Sequence, residues 1–193
     1  MDQKVDLRVI KTRNNIQDAF VRLLQDKKFE SITVQNILDK ALINRSTFYQ
    51  HYQSKYDLAD HMIAELLDAV KKDIDGRFTA ETGNLASSLK PFYRALCQKK
   101  DKILALLEVR TLNHYLSEDI RKILKAKYRK HRFGEASQLT EQEMSYQSEI
   151  YASIVITSIK WLLETGDEAA IEVVINGSAN QMSSTIREFT RRS

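Results

Sequence analysis

The sequence has few of the residues that cross-link or interrupt a chain: one cysteine, one proline and five glycines among 193 residues. The lone Cys97 cannot form a disulfide within the chain, which indicates a reducing compartment and a small buried side chain. The first residues, MDQKVDLRVIKTR, hold no apolar stretch of signal-peptide length, and no later run is apolar for long enough to cross a bilayer. We therefore expect a cytoplasmic protein with no membrane partner.

Motifs for catalysis and cofactor binding are missing as well. The sequence has no glycine-rich phosphate loop and no nucleophile motif. His61 and Glu65 are spaced to share one face of a helix, but no third residue has the spacing that would complete a metal site. The sequence thus predicts no cofactor and no metal, and it predicts that the chain is not an enzyme.

Neither sign of charge dominates, because 30 lysines and arginines are set against 26 aspartates and glutamates, for a net charge of +4 and a pI near 9.0. This balance permits a polyanionic partner without requiring one. One basic group can reach phosphates from the N-terminus, although Asp2 and Asp6 dilute its charge: Lys4, Arg8, Lys11 and Arg13. A second is more typical of a solvated helix face: Arg121, Lys122, Lys125, Lys127, Arg129, Lys130 and Arg132.

The apolar residues recur at helical spacing, and no period-two alternation is long enough for a strand, so the sequence predicts an all-α fold. The first helix should end near Lys27, with Arg13, Gln17 and Arg22 on its solvent face. Its buried stripe consists of Ile16, Ala19, Phe20, Leu23 and Leu24.

Capping residues mark the next three helices. Thr33 is placed to cap a second helix, and Asn44 is placed to cap a short third helix that begins at Arg45. Ser54, with Asp57 three residues later, is close to a capping box and opens a long helix. The segment from Gly76 to Ser88 holds two of the five glycines and is predicted to be a loop.

Further helices follow in the second half. Pro91 marks the first turn of a helix or a kink within one, and other helices are expected from Ile103 to Leu112 and from Ser117 onward. Thr140 and Glu143 form a capping box for a strongly apolar helix that Gly166 ends. A last helix carries the apolar residues Ile171, Val174, Ile175, Met182, Ile186 and Phe189, with a weak point at Asn176 and Gly177.

The short third helix carries an unusual concentration of hydrogen-bonding side chains, which suits a helix that enters the major groove of DNA. Its first turn and exposed face would meet the bases through Arg45, Ser46, Thr47 and Gln50. The flanking residues that would meet the phosphates are Tyr49, His51 and Lys55, with Thr33 and Gln35 at the start of the preceding helix. Phe48 should point into the small core. The alternative is an ordinary helical hairpin with a polar outer face.

At these residues the chain resembles the tetracycline-repressor (TetR) family of bacterial transcription regulators. The family pattern is a Thr-led helix, an Ala-Gly-Val turn, then Thr-x-Tyr-x-His-Phe and Lys-x-x-Leu. This chain has Thr33, the turn Ala41-Leu42-Ile43, then Thr47-Phe48-Tyr49-Gln50-His51-Tyr52, and Lys55 with Leu58. The segment Trp161-Leu162-Leu163-Glu164-x-Gly166 also resembles the C-terminal domain of a Firmicutes-type branch. Leu42 departs from the pattern, because glycine is common at that position and a left-handed leucine costs on the order of 1 kcal/mol.

The resemblance implies a two-domain, all-helical subunit. Residues 1–54 would form a three-helix helix-turn-helix DNA-binding domain. Residues 55–193 would form a helical bundle for effector binding and dimerisation, with a linking helix over 55–77. A homodimer would bind a near-palindromic double-stranded operator through two recognition helices, about 34 to 36 Å apart. A small-molecule effector would shift the linking helix and release the DNA, so that the chain acts as a ligand-responsive repressor.

The partner surfaces of the second domain are less specific. The helix over Ile150 to Leu163 is apolar on nearly all sides, which favours a dimer interface with Trp161 as an anchor, although a purely internal helix remains an alternative. Aromatic candidates for an effector cavity, which also suit an ordinary core, are Tyr93, His114, Tyr115, Tyr151 and Trp161. A second functional class is a coregulator of the same fold that acts through a partner protein. The sequence does not identify the effector, the operator or the regulated genes.

Overall fold

The computed structural model describes residues 7–78, 85–134, 139–166 and 169–177. Within these ranges the chain is helical, without strands apart from one isolated bridge between Arg110 and Tyr115, so the all-α prediction is confirmed. The described ranges contain a 3-10 turn over Phe29–Ser31, a helical stretch over 169–177 and eight α-helices: α1 (Leu7–Asp26), α2 (Val34–Ala41), α3 (Arg45–His51), α4 (Lys55–Phe78), α5 (Leu85–Gln98), α6 (Lys100–Leu107), α7 (Leu116–Gly134) and α8 (Glu141–Thr165).

The chain divides into two compact units. The first, here called the N-terminal unit, contains Met1–Leu66 and Asp101–Leu116, and the second, the C-terminal unit, contains Leu67–Lys100 and Ser117–Ser193. The N-terminal unit therefore includes the start of α4 and most of α6 besides the first three helices. The N-terminal unit thus combines the helix-turn-helix with a segment from the middle of the chain.

Large apolar side chains from α1 to α4 form the core of the N-terminal unit. The fully buried ones include Ile16, Phe20, Ile37, Phe48, Leu58, Met62 and Ile63. Phe48 has no exposed surface, as the sequence predicted, and it fixes which face of α3 points inward. Since α3 is so short, one large buried ring positions the whole helix.

The sequence placed Gln17 on the solvent face of α1, and this prediction is wrong. Gln17 is only 7% exposed, because its side chain meets polar groups that come from other parts of the N-terminal unit. Its amide oxygen accepts from Lys102 Nζ at 2.8 Å, while its nitrogen donates to the Tyr52 hydroxyl at 3.3 Å and to Glu65 Oε2 at 3.4 Å. Glu65 also pairs with Arg13. A buried amide with these partners is stable where an unpaired one would not be.

The turn after α6 is tied to α4 by a carboxylate. Asp60 accepts hydrogen bonds from the Thr111 hydroxyl and from the Asn113 amide. The Thr111 oxygen also accepts from the backbone N–H groups of Asn113 and His114, which builds a tight local turn. Helix α6 consequently ends at Leu107 rather than near Leu112 as predicted.

In the C-terminal unit, α8 has the predicted ends. Thr140 and Glu143 form a reciprocal capping box, and Gly166 ends the helix in the left-handed conformation with φ of 77°. Two hydrophobic clusters lie among the described residues of this unit. One contains Tyr93, Leu162, Ala170, Ile171, Val174 and Ile175. The other centres on Leu124 and Ala152.

The loop predicted from Gly76 to Ser88 is wrong where it can be compared, because residues 76–78 and 85–88 are helical. Gly76 lies inside α4, at a cost of about 1 kcal/mol relative to alanine that a helix of this length tolerates. Pro91 likewise lies inside α5. The predicted apolar positions Met182, Ile186 and Phe189 lie outside the described residues. Among the helices that are described, none has the length and hydropathy needed to cross a membrane.

Candidate nucleic-acid interface

Helix α3 begins at an asparagine cap and exposes the residues that the sequence singled out. Asn44 has extended backbone, and its side-chain oxygen accepts from Thr47 N at 2.8 Å. With Phe48 turned into the core, Arg45, Ser46 and Gln50 are exposed, and Thr47 is partly buried. Tyr49 keeps 48% of its surface exposed. The polar face of α3 is therefore open, as groove entry would need.

The same asparagine also orders the two hydroxyls of the first turn. Ser46 Oγ and Thr47 Oγ1 each donate to Asn44 Oδ1 at 2.8 Å. With their hydrogens directed to Asn44, both hydroxyls keep lone pairs that can accept a hydrogen bond. In the major groove, acceptors match the amino groups of adenine and cytosine, whereas a phosphate offers only acceptors.

Helix α2 starts with a reciprocal capping box. Thr33 Oγ1 accepts from Asn36 N at 3.1 Å, and Thr33 N donates to Asn36 Oδ1 at 3.1 Å. The predicted Thr33 cap is confirmed, with asparagine in place of the usual glutamate or glutamine. Thr33 and Gln35 are both exposed at this end of the helix.

The turn between α2 and α3 is left-handed although it has no glycine. Leu42 has φ of 54° and ψ of 45°, it is the one non-glycine residue with positive φ among those described, and it is 91% exposed. Its backbone N–H and that of Ile43 both donate to Leu38 O, as in an ordinary helix C-terminus. The turn between α2 and α3 is thus formed here by leucine, with the strain that a Cβ brings.

A row of polar side chains joins α2 to α3 across this turn. Arg45 Nη2 donates to Gln35 Oε1 at 3.2 Å, and Gln35 Nε2 donates to Asp39 Oδ1 at 2.8 Å. All three side chains are exposed. Sequence patterns indicated Arg45 and Gln35 but not Asp39. The spacing of Gln35 and Asp39, four residues apart on one helix, was the signal that could have found it.

Lys55, which the sequence predicts to meet a phosphate, directs its ammonium at backbone carbonyls. Its ammonium donates to the backbone oxygens of Phe29, Glu30 and Ile32 at 2.9, 2.9 and 2.7 Å, and it lies 4.8 Å from the centre of the Phe29 ring. Burial lowers the pKa of Lys55 from its ordinary 10.5, partly opposed by the charge of Glu30. Because all three ammonium hydrogens already have carbonyl acceptors, the structure gives Lys55 no hydrogen for the predicted phosphate contact.

His51 and the basic residues of the N-terminal arm complete the set of predicted DNA contacts. His51 is half-buried at the end of the helix, with its ring 6.3 Å from that of Tyr52. In the N-terminal arm, Arg8 and Lys11 are exposed, while Lys4 lies outside the described residues. Arg13 is paired with Glu65, so its charge is partly neutralised. The arm thus contributes fewer open charges than its sequence indicated.

The second basic group lies on α7, and acidic residues pair with much of it. Arg121 Nη1 and Lys125 Nζ meet Glu149 at 2.6 and 2.5 Å, and these two partners hold the pKa of Glu149 below its ordinary value. Further pairs join Lys122 to Asp119 and Arg129 to Glu141. This agrees with a solvated helix face, which was the preferred interpretation.

The five aromatic candidates for an effector cavity are divided between the two units of the chain. Tyr93 is buried among the residues of the first hydrophobic cluster of the C-terminal unit, and Tyr151 packs on the second. Trp161 is 43% exposed. His114 and Tyr115 belong to the N-terminal unit, where Arg110 lies over the Tyr115 ring at 4.3 Å. No group of three potential metal ligands occurs in the described ranges.

Comparison with known proteins supports the helix-turn-helix. Residues 16–62 match the profile of the tetR family of bacterial regulatory proteins. The chain is 39% identical over 72 residues to the uncharacterized HTH-type transcriptional regulator YxbF of Bacillus subtilis strain 168. That alignment covers 35% of this chain and 19% of the relative, so the chain spans about a fifth of the relative's length.

Two solved structures extend the similarity to the fold of most of the chain. A TetR transcriptional regulator from Streptococcus agalactiae 2603V matches with a TM-score of 0.60 and 24% identity, over 91% of this chain and 95% of that one. A transcriptional regulator from Aquifex aeolicus VF5 matches with a TM-score of 0.61 and 18% identity, over 86% of this chain and 96% of that one. The shared fold consists of an N-terminal helix-turn-helix followed by a C-terminal helical domain.

Proposed function

Because residues 16–62 match the profile of the tetR family of bacterial regulatory proteins, we propose that the chain binds a near-palindromic operator in double-stranded DNA as a homodimer. There it represses transcription until a small-molecule effector releases it. The family consists of regulatory proteins rather than enzymes. A chromosomal operator also places the protein in the cytoplasm.

The observation that carries this proposal is the open polar face of α3. Arg45, Ser46 and Gln50 are exposed, while Phe48 anchors the helix from behind. Gln50 has no hydrogen-bond partner among the described side chains, so its amide is available for an adenine, which glutamine can bind through both of its polar atoms. We propose that Tyr49, Thr33 and His51 contact the neighbouring phosphates. A rigid helix with free donors and acceptors on one side is suited to base reading.

Two copies of α3 are needed for a specific site of useful length. A single seven-residue helix reads few base pairs, whereas a symmetric pair about 34 to 36 Å apart reads two half-sites in successive major grooves. We propose that residues 1–54 read the DNA and that residues 55–193 dimerise through α8 and the helix after it. Trp161, exposed on α8, is an anchor candidate for that interface.

The effector would act through α4, which runs from Lys55 to Phe78 and connects the reading helices with the rest of the chain. Release of DNA requires that the effector and the operator favour different separations of the two α3 helices. The effector is a small molecule held by residues 55–193. Tyr93 and Tyr151 are the candidates within the C-terminal unit.

Selection from a pool of random duplex DNA with the purified chain tests the proposal. We expect enrichment of a palindrome with half-site centres about 10 base pairs apart, and light scattering should show a dimer. Affinity for the palindrome should fall steeply with salt. Arg45→Ala should weaken binding, whereas Lys130→Ala, which removes an exposed charge from α7, should not.

The other outcomes are equally informative. Failure of the purified chain to enrich any sequence contradicts the DNA-binding proposal and favours a coregulator that acts through a partner protein. A reporter gene with the selected palindrome in its promoter then measures the sign of regulation, and we expect lower expression with the chain present. A thermal-shift screen of small molecules, followed by displacement of the palindrome, tests release by an effector.

A further inference from the structure

Asp39 is not among the residues that the sequence assigned to DNA binding. It lies at the end of a row of hydrogen-bonded polar side chains that starts at Arg45. The row consists of the Arg45 guanidinium, the Gln35 amide and the Asp39 carboxylate, joined by hydrogen bonds of 3.2 and 2.8 Å. Arg45 opens α3, whereas Gln35 and Asp39 lie on α2. The row therefore crosses the turn that sets the angle between the two helices.

The chemistry of the row fixes the orientation of the Gln35 amide. A carboxylate only accepts hydrogen bonds and a guanidinium only donates them. The Gln35 nitrogen must therefore face Asp39, and its oxygen must face Arg45. The reverse orientation would set two acceptors together at Asp39 and two donors together at Arg45. Asp39 thus determines that Gln35 presents an acceptor to the guanidinium.

The hydrogen bonds of the row determine whether Gln35 or Arg45 can read a base. Glutamine reads adenine by using both its oxygen and its nitrogen, and in Gln35 each already has a protein partner. Arg45 has no hydrogen-bond partner other than Gln35 among the described residues, so most of its N–H groups remain free. A guanidinium held in one position matches the O6 and N7 acceptors of guanine.

We propose that Asp39 is a specificity-determining positioning residue, which holds Gln35 so that Arg45 reads one guanine in each half-site. The inference rests on the proposed function, since it requires that α3 enters the major groove. Gln35 supports the reading group and does not itself contact a base. The charge of Asp39 opposes DNA binding in general, because it faces a polyanion, and it improves discrimination by reducing the freedom of Arg45.

The competing explanation is that Gln35 and Asp39 form an ordinary pair on the surface of α2. Such a pair, four residues apart, stabilises a helix slightly and has no effect on base preference. The two explanations differ in what Asp39→Ala changes. If the two residues are only a helix pair, Asp39→Ala changes the melting temperature and, through the lost charge, the affinity for all DNA, but it leaves the base preference unchanged. A positioning residue lowers the preference for guanine, and the loss of its charge raises affinity for unrelated DNA at the same time.

The experiment starts from the palindrome selected by the wild-type chain. Each guanine is replaced by adenine in both half-sites, and the ratio of the two dissociation constants gives the discrimination at that position. We expect one position at which Arg45→Ala removes about tenfold discrimination or more. At that position Asp39→Ala should reduce the discrimination between guanine and adenine by about three- to tenfold, and Gln35→Ala should reduce it by a similar factor. The double variant with Gln35→Ala and Asp39→Ala should lose no more of this discrimination than Gln35→Ala alone.

Asp39→Asn is the matched control, because its side-chain oxygen can still accept from Gln35 while its charge is gone. It should keep the guanine preference and bind unrelated DNA more tightly than the wild type. Arg45→Lys keeps the positive charge but lacks the paired N–H donors of the guanidinium, so it should lose the preference for guanine. Thermal unfolding of each variant shows whether α2 and α3 remain folded.

Three results overturn the inference. Selection of a palindrome with no guanine that responds to Arg45→Ala overturns it and leaves the proposed function intact. If Asp39→Ala leaves the guanine preference unchanged, with or without a lower melting temperature, then Gln35 and Asp39 are only a stabilising pair on the surface of α2. Enrichment of no sequence by the wild-type chain overturns both the inference and the proposed function.

Discussion

The ammonium of Lys102 donates a 2.8 Å hydrogen bond to the amide oxygen of Gln17, which lies 85 positions earlier in the chain. Gln17 is almost fully buried, whereas the Lys102 side chain is 27% exposed. The bond attaches the start of α6 to α1 inside the N-terminal unit. Together with the Asp60 contacts to Thr111 and Asn113, it explains why the segment Asp101–Leu116 clusters with the helix-turn-helix.

Lys102→Met should lower the free energy of unfolding by about 1–3 kcal/mol, because it leaves a buried amide oxygen without a donor. Urea unfolding measures the change. Lys99→Met, which removes an exposed lysine three residues earlier, should change little. In the double variant with Gln17→Leu, both partners become apolar and part of the loss should be recovered. Equal losses for Lys99→Met and Lys102→Met would refute this role.

Leu42→Gly should raise the free energy of unfolding by about 0.5–1 kcal/mol, because glycine adopts the left-handed conformation without a Cβ clash and this gain exceeds its extra chain entropy. The side chain is 91% exposed, so little packing is lost. Leu42→Ala keeps the Cβ and should give no such gain. Thermal and urea unfolding compare the three proteins. A gain in the alanine variant equal to that in the glycine variant would show that backbone strain is not the cause.

Lys55→Met should destabilise the fold by about 1–3 kcal/mol, since three carbonyl oxygens lose their shared donor. The same variant should leave the salt dependence of DNA binding unchanged at temperatures where it is folded, because the ammonium is directed at the protein rather than at a phosphate. Titration of affinity against salt checks this. A slope reduced by about one phosphate contact, with normal stability, would restore the phosphate role that the sequence predicted.

Glu149→Gln should reduce stability at neutral pH and have less effect in acid. Lys125 and Arg121 hold the pKa of Glu149 below its ordinary 4.5, so the folded chain releases this proton more easily than the unfolded chain does. The resulting stabilisation is complete above pH 4.5 and is lost as the pH falls through the lowered pKa. Urea unfolding at several pH values should show the two proteins converging in acid. A difference that is constant with pH would contradict the linkage.

Local sequence patterns predicted the helix caps well. Thr33, Asn44 and Thr140 cap helices as expected, because capping depends on a side chain and the backbone within three residues of it. The burial of Phe48 followed from helical periodicity in the same way. Predictions that relied on glycine as a helix breaker were weaker, since Gly76 lies within α4.

Partners far apart in the chain were the ones that sequence patterns missed. Gln17 looked like a surface residue because its partner, Lys102, is 85 positions away. Lys55 looked like a phosphate ligand because its acceptor carbonyls lie 23 to 26 residues earlier. Asp39 was overlooked because its relation to Arg45 passes through Gln35 and across a turn.

The sequence by itself determined that the chain is helical and that a short, capped, polar helix presents Arg45, Ser46, Tyr49 and Gln50. These features depend on side chains within one or two helical turns, where spacing along the chain fixes spacing in space. Only the tertiary structure decided which of the polar groups are free. A hydrogen-bond donor is available to DNA only if no distant part of the fold has taken it, and that depends on how the helices pack.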